Sequence, residues 1–382
     1  MVKNEKKRIH VTLDSLKGFV KSLVIYDTGS TDNTLDIIRD FSKKNNIPVK
    51  IKEGEFVNFE VSRNVLLDFA EEMEEIDYFL LLDCNDELRG GEKLLTFCEK
   101  FANNNSITAF LLCQQWFSGD MTKYYNMRLI KNGKGWRYKS PVHEYLEDRT
   151  KKEGEPDKVF RFPDEICLYQ DRTKDDDKTS KRFHRDREIL TEEYKKDPTN
   201  ARTVFYLAQT YNCLGDKENA YKYYDIRKDM KGFWEEVFQS NMKCGELAGA
   251  LRKPWEISLG YFMKAAESCD RAEPFVAIGI HYKNMADKFP DKKIHYLRMS
   301  YMFASRACKF EYPHQCILFI DRFAYDYKRW HLLGIVAYYE KAYEEGKNAC
   351  QMALKSRKNS EIDVHNLRFY VEKIVEIEKG KK

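Results

Sequence analysis

No stretch of this sequence approaches the roughly 18–20 consecutive apolar residues that a membrane-spanning helix needs. Its longest apolar runs, such as FLLLD at 79–83 and AFLLC at 109–113, have the length of buried strands. An excess of one charge is missing too. Lys and Arg total 66 against 62 Asp and Glu, a net +4, with both signs scattered along the chain. That argues against a nucleic-acid patch or a polybasic anchor. Ten cysteines lie between Cys84 and Cys350 without a single CxxC pair. A zinc module and a disulfide framework are thereby disfavoured, and a reducing, cytoplasmic setting is expected. The opening MVKNEKKRIHVTLDSL has no uninterrupted apolar core and does not read as a signal peptide. The 382 residues, 42% of them hydrophobic, suffice for two or three globular domains.

Two textures divide the chain near residue 175. SLVIYD (22–27), PVKIKE (48–53), DYFLLLD (77–83) and ITAFLLCQQW (107–116) are strand-like and alternate with helical patterns such as FEVSRNVLLDFAEEM (59–73). The alternation predicts a mostly parallel, doubly wound sheet with helices on both faces over residues 1–175. Ligands of such sheets bind beyond the strands' C-terminal ends, where Asp27 and Asp83 are each expected as the last strand residue. Residues 124–148 read as a hairpin turning at Asn132-Gly133, then a short strand and a loop. FRFPDEICLYQ (160–170) is strand-like, and DRTKDDDKTSKR reads as a solvated linker. Residues 176–382 are helical and repetitive. Leu207, Ala208, Tyr211, Leu214-Gly215, Ala220, Tyr224 and Arg227 have the spacing of a tetratricopeptide-like hairpin, with weaker copies at 235–269 and 274–310 and a last pair near 326–356.

Chemistry concentrates at two strand ends. In IYDTGSTDNT (25–34), Asp27 closes a strand, Gly29 permits a sharp turn, and the polar run caps the next helix. In LLLDCNDEL (80–88), Asp83, Asn85 and Asp86 are three oxygen-bearing side chains within four residues, a set suited to a hard divalent cation such as Mn²⁺ or Mg²⁺. An Asx-rich turn before the helix near Gly91 accounts for Asn85 and Asp86 as well, but has little use for Asp83. His143 and Glu144 follow in a loop, where an imidazole can ligate metal and a carboxylate can take a proton.

Together, MVKNE at 1–5, IYDTGSTDNT, VSRN at 61–64, LLLDCNDEL and SPVHEYL at 140–146 resemble, in order and spacing, the GT-A fold of family 2 glycosyltransferases. The layout is similar to bacterial and giant-virus members that carry a C-terminal tetratricopeptide-like region. The resemblance implies transfer of a sugar, with inversion, from a nucleotide sugar (a UDP-sugar above all) to a glycan, lipid or protein acceptor. It implies that Asp27 contacts the nucleoside and that Arg63 belongs to the nucleotide pocket, its cation toward the diphosphate; a solvent-facing helix arginine is the competing reading. Asp83 with Asn85 or Asp86 stands for the DxD-type metal motif, Asn85 holding the place of the second acid, and His143 is a further ligand. Glu144 is the base, with Asp120 and Asp171 as rivals.

Such domains open with a strand, which here is missing or very short, since the family-like motif begins at Met1. A non-catalytic scaffold is therefore the alternative function, its helical repeats binding a protein partner or self-associating. A nucleotidyltransferase is disfavoured by the lack of a glycine-rich phosphate loop near the N-terminus.

Overall fold

Strand-forming runs rich in Val, Ile, Leu and Phe alternate with capped amphipathic helices through the first half. The computed structural model describes residues 1–117, 121–152, 155, 158–173 and 178–379. Helix α1 (Ile9–Ser15) precedes β1 (Leu23–Asp27), α2 (Thr34–Asn45), β2 (Val49–Glu53) and α3 (Phe59–Glu71). Next come β3 (Tyr78–Leu80), β4 (Glu87–Arg89), α4 (Gly91–Phe101), β5 (Ala109–Phe117) and β6 (Met121–Lys131). The strands end with β7 (Trp136–Lys139), β8 (Tyr145–Asp148), β9 (Val159–Arg161) and β10 (Cys167–Asp171).

Strands β1 and β2 pair in parallel, and a second sheet runs β3-β6-β5-β10-β4 with β9 also on β5. In the second sheet β5 is parallel to β9 and β10, whereas β3/β6, β5/β6 and β4/β10 are antiparallel. The α/β architecture is the expected one, but the sheet is mixed rather than mostly parallel. Connection length is the reason. A parallel return needs a crossover of about a dozen residues or more, and only 118–120 separate β5 from β6. The Asn132-Gly133 turn likewise joins β6 to β7 without pairing them; β7 pairs with β8 instead. FRFPDEICLYQ is broken by a turn at 163–165 into β9 and β10.

One sheet face packs Phe110, Leu112 and Leu168 against Leu13 of α1, Ile38 of α2 and Leu94 of α4. The other packs Ile130 and Ala109 against Leu67 and Ala70 of α3 and against Trp136, Tyr138 and Leu146 of the β7–β8 hairpin. Helices thus cover both faces, with the hairpin sharing one of them. Of an opening strand, Val2 alone stands in register, as a parallel bridge to Asp27. Its N–H donates to the Tyr26 carbonyl at 2.9 Å, and its carbonyl accepts from the Thr28 N–H at 3.0 Å. Between β1 and β3 lies a cavity of about 570 Å³, lined by Val24, Ile25, Phe79, Leu81 and, at its polar part, Arg63 and Asp83.

The turn from β4 into α4 depends on Gly90, at φ +78°. A Cβ there would fall 2.2 Å from the Glu165 carbonyl oxygen. Gly90→Ala is expected to cost at least about 2 kcal/mol, from the left-handed backbone together with the clash. The check is a lower thermal midpoint, with amide exchange accelerated first in β4 and β10.

The chain divides into two units, Met1–Ile189 and Leu190–Lys382. That break lies inside α5 (Lys178–Lys196) rather than at 175, because the first half of α5 packs on the first unit; Arg185 stacks over Phe59 at 5.4 Å. The TSKR end of the expected linker is accordingly helical, while 174–177 lie outside the described residues.

In the second unit the expected hairpins are present. They are α6 (Ala201–Cys213) with α7 (Lys217–Arg227), α8 (Trp234–Ala250) with α9 (Trp255–Ser268), and α10 (Glu273–Lys288) with α11 (Lys293–Cys308). Helices α12 (Arg329–Val336), α13 (Tyr343–Ser356) and α14 (Glu361–Lys379) close the array. Leu207, Ala208 and Ala220 are fully buried between the helices of the first hairpin. Arg227 is buried too, ion-paired to Glu236 at 2.9 Å, which ties this hairpin to the next. No helix among the described residues is long and apolar enough to cross a membrane.

Candidate active site

Arg63 reaches the site from the middle of α3. Asn58 caps this helix, accepting the Val61 N–H at 2.8 Å, and the 3.6-residue period places Arg63, Leu67 and Ala70 on its buried face. Arg63 is therefore no solvent-facing helix residue. Its guanidinium lies 5.3 Å from the Tyr138 ring, and Nη2 donates to Asp83 Oδ1 at 2.7 Å. Its Nε is 2.7 Å from Glu144 Oε1, an ion contact whose angle falls short of a hydrogen bond.

Arg128 arrives from the opposite side. Phe110 faces Leu129 while Leu111 faces Met127, so Arg128 is the extra residue of a β-bulge, which re-aims its side chain. Nη2 donates to Asp83 Oδ2 at 2.9 Å, and Nη1 to the Leu81 carbonyl at 3.4 Å. Asp83 thus holds one buried guanidinium on each oxygen. It lies three residues past the end of β3, whose ladder continues only through the Leu81 N–H to the Arg128 carbonyl. Burial pushes the Asp83 carboxyl up, but Arg128 and Arg63 outweigh it and hold the group well below the usual carboxylate range.

Asp86 turns inward. It is fully buried, and Oδ2 accepts the Asp83 N–H at 2.8 Å while Oδ1 accepts from Gln170 Nε2 at 2.6 Å. Gln170 in turn accepts from Arg172, which stacks on Trp116 at 3.3 Å. Burial raises the Asp86 pKa, with Arg128 opposing. Asp27 ends β1 as expected, buried, with Oδ2 accepting the Ser30 N–H at 3.0 Å. It neighbours the cluster through Met1 and Val2, since the Cys84 thiol donates to the Met1 carbonyl at 3.4 Å.

Glu144 sits in a loop fastened to α3. The Asn64 side chain donates to the Tyr138 carbonyl at 2.9 Å and accepts the Tyr138 N–H at 2.8 Å, as a neighbouring strand would. Glu60 accepts the Ser140 N–H at 2.8 Å, and the Phe59 N–H donates to the Pro141 carbonyl at 3.2 Å. His143, at φ +53°, makes the turn that delivers Glu144 to Arg63. Asn64→Ala is expected to cost about 1–3 kcal/mol by leaving backbone groups of Tyr138 unpaired. Hydrogen exchange should show 138–144 loosening before the sheet does.

The expected metal ligands are not gathered into one shell. Asp83 is engaged by two guanidiniums, Asn85 is neutral, and both Asp86 oxygens accept hydrogen bonds inside the protein. Among the described residues no three His, Cys, Asp or Glu side chains converge as metal ligands. This arrangement does not fit a resident Mn²⁺ or Mg²⁺, because the Asp83 and Asp86 oxygens that would hold it are already committed to Arg63, Arg128, the Asp83 N–H and Gln170. Of the rival bases, Asp171 is exposed and accepts from the Thr173 N–H at 3.0 Å, and Asp120 lies outside the described residues. Sequence reasoning missed Arg128, Asn64 and Gln170. VSRN alone held a usable signal, its Asn64 standing beside Arg63.

The chain is 27% identical over 239 residues to the SPbeta prophage-derived glycosyltransferase SunS of Bacillus subtilis and, equally, to glycosyltransferase SunS of Bacillus phage SPbeta. That covers 61% of this chain and 52% of each relative, so the chain spans about half the length of the curated relatives it matches. Solved structures similar to it include YrrB, a TPR protein with an unusual peptide-binding site (TM-score 0.34, 13% identity, 49% of this chain and 84% of that one). Another is TTC0263, a TPR protein of Thermus thermophilus (TM-score 0.30, 13% identity, 52% and 93%). The model of Glycosyl transferase family 2 matches residues 1–163, the segment that carries Asp27, Arg63, Asp83, Arg128 and Glu144, and this segment is a family 2 glycosyltransferase domain.

Proposed function

We propose that this domain transfers a sugar from a nucleoside diphosphate sugar, UDP-sugars being the first candidates, to an acceptor hydroxyl with inversion at the anomeric carbon. One observation carries the reading: Arg63 bridges Asp83 and Glu144 at 2.7 Å to each, beside the end of β1 that holds Asp27. Asp27 would contact the nucleoside, and Arg63 the diphosphate. When the diphosphate engages Arg63 Nε, that nitrogen leaves Glu144, and the freed carboxylate accepts the acceptor's proton. Donor binding thereby precedes activation of the base. Asp83 is held by two cations and Asp86 is buried, which leaves Glu144 as the base in this reading. A single displacement with inversion is the mechanism the reading takes.

A cluster this complete favours an enzyme over a scaffold. The acceptor is a glycan, lipid or protein, and the helical unit is the place for a protein partner or for self-association. The scatter of ten cysteines along the chain, without a CxxC pair, supports a reducing, cytoplasmic setting. The test is a panel of nucleotide sugars assayed for thermal stabilisation and hydrolysis. Stabilisation by at least one donor, with slow release of its nucleoside diphosphate, is the expected result; none by any donor sinks the proposal.

A further inference from the structure

We propose that Arg63 and Arg128 themselves compensate the charge of the donor's diphosphate, without a resident divalent cation, and that Asp83 is the residue that positions both guanidiniums. The inference rests on the glycosyltransferase reading above and deepens it.

The residues available for a cation are already committed. A metal ion at Asp83 would have to displace two charge-assisted hydrogen bonds, at 2.7 and 2.9 Å. Asn85 brings no charge to the position where the family resemblance expects an acid. Asp86 is needed where it is, because its two oxygens tie the Asp83 backbone to Gln170 on β10.

The guanidiniums, in contrast, have capacity to spare. Each offers five N–H donors in a planar fork that matches phosphate oxygens. Arg128 Nε is buried without a hydrogen-bond acceptor, and Arg63 Nε has only the misaligned contact with Glu144. Buried donors of that kind are costly to leave unmet, and a diphosphate would meet them. The two side chains are 10% and 9% exposed, so their attraction for an anion is little screened by water. Asp83 keeps two like charges side by side that would otherwise repel. Held by a common carboxylate, they form a preorganised clamp of the sort that stabilises charge growing on a departing diphosphate.

The test is calorimetric titration of the full chain with UDP and GDP, in EDTA and again in Mn²⁺. Affinity for the tighter nucleotide is expected to agree between buffers within about threefold, and Arg128→Met to weaken it at least about tenfold, the equivalent of one charge-assisted hydrogen bond. Arg128→Lys, a point charge without the fork, should bind between the two. Binding that appears only with Mn²⁺ overturns the inference and leaves the glycosyltransferase reading intact. A folded Arg128→Lys variant that binds as tightly as wild type also overturns it. No binding of either nucleotide in either buffer counts against the glycosyltransferase reading itself. Should Arg128→Met fail to fold, the comparison of EDTA with Mn²⁺ still decides.

Discussion

Glu144→Gln is expected to slow sugar transfer by about 10²–10⁴-fold, the range that a positioned general base supplies. Affinity for the nucleoside diphosphate should change by less than about threefold, because the substitution keeps the side chain's shape and leaves Arg63 paired with Asp83. Arg63 loses one carboxylate partner, so any change should be toward tighter binding. The loss therefore falls on kcat. A Glu144→Gln enzyme with wild-type kcat would dismiss this residue as the base. Loss of transfer on Asp171→Asn or Asp120→Asn would then reassign the role.

What could be read in the sequence depended on how locally each feature is determined. The end of β1 at Asp27 and the packed face of the first helical hairpin follow from patterns only a few residues long, and each was found where the pattern put it. The extra residues of LLLDCNDEL gave a cluster of oxygens but not their directions. Asp86 faces inward because Gln170, 84 residues later, reaches it from β10. No local pattern encodes that pairing. Arg128 escaped notice for a similar reason: in sequence it is one cation within an ordinary strand, and only the register shift opposite Phe110 and Leu111 sends it to Asp83. The mixed sheet was hidden because periodicity marks a strand without marking its direction. Asn132-Gly133 is a sound turn signal, yet the two strands it joins pair with others, β6 with β3 and β5 and β7 with β8 in a separate two-stranded sheet.

Asp83→Asn is expected to destabilise the N-terminal unit by about 2–3 kcal/mol. Breaking a buried ion pair costs about 3–5 kcal/mol when the partner charge stays buried. Here the carboxylate is 35% exposed, so the figure is discounted for solvent screening even though two guanidiniums are stranded. For a unit spanning Met1–Ile189, that corresponds to a midpoint lower by roughly 5–10 °C. Asn retains one carbonyl oxygen for one arginine and turns an N–H₂ toward the other, so the variant exchanges two charge-assisted bonds for one neutral bond and a repulsive contact. The pH dependence has a definite sign. Arg128 and Arg63 depress the folded-state pKa of Asp83 below its unfolded value of about 3.9. Its contribution is therefore fully present above that value and is lost as pH falls below it. The gap between wild type and variant should stay constant from about pH 6 to 8 and narrow progressively once the pH falls below about 4. Run in EDTA, the same melt separates two roles for this residue. A carboxylate whose purpose is to hold a metal ion would leave the metal-free protein no worse, or even relieved, when neutralised. One whose purpose is to hold Arg63 and Arg128 in place costs the protein its full share of stability with no metal present.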